Sequence, residues 1–115
     1  MKDKMVEQLK AYVAENNLHE KAIEYFWRAF NNWRKDFPKS YKKTFKDFSI
    51  DDCNIFVHSI GLRSSQWPSC DYSHATVSLL IHHEKDNNHV SEIGNYRAFF
   101  SLSDDVDDDD ILDIY

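Results

Sequence analysis

Glycine and proline are nearly missing from this chain, with two of each in 115 residues. So little glycine leaves no phosphate-cradling loop, and neither a Gly-x-Gly-x-x-Gly run nor a Walker lysine occurs. A serine elbow and a His-Glu-x-x-His helix are also lacking, which removes the commonest enzyme classes. No apolar run approaches the ~18 residues that a membrane-crossing helix needs. Met1-Lys2-Asp3-Lys4 leads into an amphipathic pattern instead of the apolar core of a secretion signal. Cysteine is limited to Cys53 and Cys70, expected as free thiols in a cytoplasmic chain. No cofactor is expected and no membrane partner.

Aromatic residues, by contrast, are plentiful, with eight Phe, six Tyr and three Trp. Charge is strongly polarised. Residues 1–50 hold eleven Lys/Arg against seven Asp/Glu, whereas residues 51–115 hold three against thirteen, within a net charge of −6. Such asymmetry points to partners more than to fold.

The length fits one domain spanning residues 1–115. Met5, Leu9, Tyr12 and Val13 recur at helical spacing over Lys2–Glu15. Asn17 and Glu20 fit a capping box that opens a second helix, Leu18 to about Asp36. Ala22, Ile23, Phe26, Trp27, Ala29, Phe30, Trp33 and Phe37 fill an arc of roughly 160° on it. So wide an aromatic face calls for a sheet to cover it, and a ligand pocket walled by these rings is the alternative. Phe37-Pro38 ends the helix, and Ser40–Asp47 reads as a short third one. Its Lys39, Lys42, Lys43 and Lys46 share a face; direct nucleic-acid binding there is not expected, because the whole chain is acidic.

From Asn54 the period changes to two. Strands are expected at Asn54–Leu62, Asp71–His83 and Val90–Ser103, separated by a polar loop, Arg63–Ser69, and a turn, Lys85–Asn88. Ile55 and Val57 should face one way and Phe56, His58 and Ile60 the other. The expected sheet core is Ile55, Val57, Ala75, Val77, Leu79, Ile81, Ala98 and Phe100. The fold class is therefore α+β: a helical pair plus a short third helix, packed on an antiparallel meander of three or four strands, with an acidic C-terminal segment.

That segment, Asp104–Tyr115, places seven carboxylates in the ten residues Asp104 to Asp113. It reads as a helix capped by Ser103, as an edge strand over Ile111–Tyr115, or as a frayed tail. The interleaved Val106, Ile111, Leu112, Ile114 and Tyr115 favour a docked segment.

Other chemistry is thinner. His58, His74 and His82 on strands suggest an RNase-like acid–base pair, as an alternative hydrolase reading. Cys53, Cys70, His74, His82 and His83 do not carry the paired spacing of a zinc site. The Asp run lacks the alternation and central glycine of a calcium loop. No catalytic residue and no metal ligand is therefore assigned.

Carboxylates concentrated this way repel one another, and a basic partner relieves that repulsion. A nuclease must present a basic cleft to phosphate. In size, charge and lack of catalytic motif the chain resembles bacterial toxin-immunity proteins and phage-encoded nuclease inhibitors. The resemblance implies a non-enzymatic antitoxin-like inhibitor whose protein partner is a nuclease toxin. The expected contacts are Asp104, Asp105, Asp107, Asp108, Asp109 and Asp110, with Trp67 or Tyr115 as aromatic anchor.

Overall fold

The computed structural model describes residues 4–70, 72–86, 89–103 and 107–115. Three helices precede four strands: α1 (Lys4–Glu15), α2 (Leu18–Asp36), α3 (Pro38–Thr44), then β1 (Cys53–Ser65), β2 (Tyr72–Asp86), β3 (His89–Ser101) and β4 (Asp109–Ile114). Each strand pairs antiparallel with the next, in the order β1-β2-β3-β4. This is the expected α+β arrangement of helices followed by a meander.

The helix bounds follow local chemistry. Asn17 does not cap α2 through its side chain; it sits in the left-handed region at φ 53°, ψ 39°. Asparagine tolerates that conformation, so Asn17 turns the chain between two helices instead of closing a capping box. Just before it, Asn16 Nδ2 donates to the Tyr12 carbonyl at 2.9 Å and satisfies one open end of α1. Proline opens α3 as well as closing α2, because its missing N–H and fixed φ suit a first helical position. The third helix therefore runs Pro38–Thr44 and not Ser40–Asp47. A single 3-10 turn, Ile50–Asp52, leads into β1, closed by a reciprocal box. Ser49 Oγ accepts from the Asp51 N–H at 3.2 Å, and Asp52 Oδ2 accepts from the Ser49 N–H at 3.0 Å.

One face of the sheet carries the core. Ala22, Phe26 and Phe30 of α2 are fully buried with Ala75, Val77, Leu79, Ile81, Tyr96 and Ala98. Phe26 meets Tyr96 edge-on at 5.7 Å, and Phe30 meets Trp33 and Phe45 each at 5.6 Å. Full burial of each such side chain contributes about 1.5–3 kcal/mol. Phe26 and Phe30, the centre of the aromatic helix face, are therefore enclosed by the sheet and α3, not open to a ligand.

Alternation on β1 departs from expectation. A bulge between Val57 and Ser59 puts Ile60 opposite Val77. The extra residue inverts the pleat, so Ile60 joins Ile55 and Val57 on the core side, not Phe56 on the other. A second shift between Ile81 and His82 leaves Ile93 buried in the core. β1 also runs to Ser65, into the segment expected as loop. The turn expected at Lys85–Asn88 lies partly outside the described residues.

Candidate functional site: the acidic edge

The acidic segment forms the edge strand of the sheet. It starts at Asp109, two residues before the expected strand, and runs opposite β3 from Phe99↔Asp109 to Gly94↔Ile114. The helical alternative is thereby excluded for Asp109–Ile114. Pairing places Asp110, Leu112 and Ile114 on the helix side, opposite Ala98, Tyr96 and Gly94. Asp109, Ile111 and Asp113 take the open side.

Three further contacts fix the start of this edge. His74 is buried on β2, and its Nε2 lies 3.0 Å from the Asp107 carbonyl oxygen. The Ser101 N–H donates to Asp108 Oδ1 at 2.7 Å. The Tyr96 hydroxyl donates to Asp110 Oδ2 at 2.7 Å. Burial, reinforced by the hydrogen bond to Asp110 and its charge, pushes the Tyr96 hydroxyl far above its ordinary pKa. It therefore remains a donor across the whole usable pH range.

Asp107, Asp108, Asp109 and Asp110 are all exposed, but their duties differ. Asp110 is tied inward by Tyr96, and Asp108 spends one oxygen on Ser101. The ion pairs among the described residues are Lys10–Glu7 and His19–Glu20, so none of these four aspartates is neutralised by a cation within 4.0 Å. Asp104 and Asp105 lie outside the described residues.

A concavity flanks the aspartates on each side. On the open face, Asp107, Asp108 and Asp109 border a cavity of about 480 Å³ with Arg63, Gln66, Tyr72 and Phe99. On the helix side, Asp108, Asp109 and Asp110 border one of about 340 Å³ with Tyr25, Arg28 and Asn32. Both arginines lie over rings, Arg63 above Phe99 at 4.6 Å and Arg28 above Tyr25 at 5.1 Å. Stacking there leaves the aspartates unpaired, with a guanidinium set back on either side.

The two expected aromatic anchors part company. Trp67, 73% exposed, sits on the β1–β2 connection, at the same end of the sheet as the start of β4. Tyr115 lies six residues beyond Asp109, about 20 Å along the strand, and its hydroxyl accepts from Asn95 Nδ2 at 2.8 Å. Trp67 thus shares the acidic end, and Tyr115 does not. Half-exposed Tyr72 and Leu102 join Trp67 there; neither had a sequence signal beyond its place in a strand.

The histidines do not converge. His74 and His82 lie eight residues apart on β2, about 26 Å. His58 is exposed at the β1 bulge, and His82 meets Phe56 edge-on at 4.9 Å. His83 points to the other face and stacks on Phe48 at 3.9 Å. Cys53 opens β1 while Cys70 follows its far end, so the two thiols are at opposite ends of the hairpin. Among the described residues no group of three or more His, Cys, Asp or Glu is placed to hold a metal. None of their helices is long and apolar enough to cross a membrane.

The chain matches no protein-family model, no curated protein and no solved structure.

Proposed function

We propose that the chain is a non-enzymatic inhibitor that binds a basic protein through the acidic edge, most specifically an immunity protein for a toxic nuclease. The observation that supports this most directly is the state of Asp107, Asp108 and Asp109. Asp109 is held by β3 pairing, the Asp107 carbonyl by His74 and the Asp108 side chain by the Ser101 N–H, while no described cation lies within 4.0 Å of their carboxylates. Fixed, unpaired carboxylates are costly to assemble and reward a partner that brings its own cations. A nuclease cleft does so, because it is built to hold phosphate.

Trp67 and Tyr72 beside the aspartates supply the apolar contact area that specific interfaces need. Arg63 and Arg28, set back on either side, add a mixed-charge border that distinguishes one basic surface from another.

The test is capture on the immobilised chain at low salt, followed by titration of the captured protein. The expected outcome is a basic nuclease whose activity falls on binding. Asp107→Asn, Asp108→Asn and Asp109→Asn together should weaken it at least about tenfold, roughly 1.4 kcal/mol, and flatten its salt dependence. A triple variant with unchanged affinity and salt slope sinks the proposal.

A further inference from the structure

The sheet has two edges, and they are built differently. β4 is six residues long and carries Asp109, Asp110 and Asp113, charges of the kind that discourage a further strand. β1 is thirteen residues long, Cys53 to Ser65, and Arg63 is its one charge. Among the described residues its outer side faces no other strand.

Three exposed apolar side chains, Phe56, Val57 and Leu62, lie on this edge. Val57 is 39% exposed and Leu62 61%, both on the side of the sheet that α1 and α2 cover. Phe56 is 39% exposed on the opposite side. α1 does not close the gap: Val6, one turn from half-buried Leu9 on the stripe that buries Val13, is itself 44% exposed. A long, nearly uncharged edge with apolar residues on both sides is a template for strand addition.

We propose that β1 pairs with β1 of a second copy of this chain, forming a two-fold symmetric dimer with one continuous eight-stranded sheet. An antiparallel β1–β1 contact is self-complementary, as a two-fold interface must be. Charge favours this occupant over a pairing through β4. The aspartates that would repel a second copy lie on the other edge, and the dimer puts the two acidic edges about 33 Å apart, seven strand spacings. That exceeds the screening length at physiological salt, about 8 Å.

The contact is independent of the basic partner and leaves both acidic edges free. Sedimentation velocity of the unmodified chain over two decades of concentration should show twice the chain mass emerging. Val57→Lys with Leu62→Lys, both surface substitutions, should weaken self-association at least about tenfold, while Ile111→Lys on the other edge should not. Amide exchange needs no variant: β1 amides should gain protection with concentration, and β4 amides should not. A chain that stays monomeric throughout overturns the proposal. So does a dimer that survives the paired lysines unchanged, or one whose concentration-dependent protection falls outside β1.

Discussion

His74 and Asp107 are thirty-three residues apart in sequence, and the ring of one holds the backbone of the other at 3.0 Å. A carbonyl oxygen only accepts, so His74 Nε2 carries the proton. A strand histidine on the open face thus serves as a clasp for the acidic edge. His74→Ala should leave that carbonyl without its donor and cost about 1–3 kcal/mol. Amides of residues 107–110 should exchange faster, in a fold whose helices keep their protection; unchanged exchange at 107–110 would show the clasp to be idle.

Trp67 and Tyr115 separate the two ends of the edge. If the basic partner covers the end that begins at Asp107, Trp67→Ala should cost at least about 2 kcal/mol of binding, the scale of an interface anchor. Tyr115→Ala should change affinity by less than about twofold, well under 1 kcal/mol. Calorimetric titration of both variants reads the difference, and the reverse order would move the contact to the other end.

Gly94 holds the far half of β4. A methyl group there would meet the Asp113 carbonyl oxygen and approach Ile114 Cα to 3.1 Å, both backbone atoms that cannot swing aside. Gly94→Ala should therefore push β4 off β3 over residues 112–115 and destabilise the chain by about 1–3 kcal/mol. Gly61→Ala is the control, because a methyl there meets nothing within 4 Å. Thermal melts of the two variants should diverge accordingly.

The two thiols should differ in reactivity. Burial, with a smaller contribution from the charge of Asp52, pushes the Cys53 thiol up to about 11. Its Sγ also donates to the Ser49 carbonyl at 3.6 Å. Against an ordinary value of 9.0, this leaves about a hundredfold less thiolate near neutral pH. Alkylation at pH 8 should label exposed Cys70 well before Cys53, followed by mass spectrometry. The raised value also sets a sign. The thiol is favoured by the fold, so its contribution is full below about pH 9 and declines as pH rises toward 11. Cys53→Ser should flatten the alkaline end of the stability curve.

How much of this was written in the sequence differs by level. The aromatic period of α2 and the alternation of β2 are strong, one-sided patterns, and both elements appear where those patterns run. β2 and β3 reproduce the expected inward rows, from Ala75 to Ile81 and from Ala98 to Phe100. The bulges at β1 and at Ile93 were not legible, because one extra residue in a ladder depends on the partner strand and not on local propensity. For the same reason Ile60 was assigned to the wrong face. Asn17 reads in the sequence as the start of a capping box, whereas its backbone makes a left-handed turn with no side-chain cap bond. At the acidic edge the apolar residues signalled docking. Which aspartates would be tied inward was decided by tertiary partners: Tyr96, Ser101 and His74 are each distant in sequence, and none advertises its role.

The two-residue alternation of β4 also has a consequence for how the sequence can drift. Asp110, Leu112 and Ile114 face the helix side and serve the fold, and the interleaved Ile111 and Asp113 take the open side. Substitutions at the second set are insulated from those at the first. The strand can exchange one open-side surface for another while its anchor stays the same, so if the edge binds the proposed basic partner, the choice of partner is free to change without a change of fold.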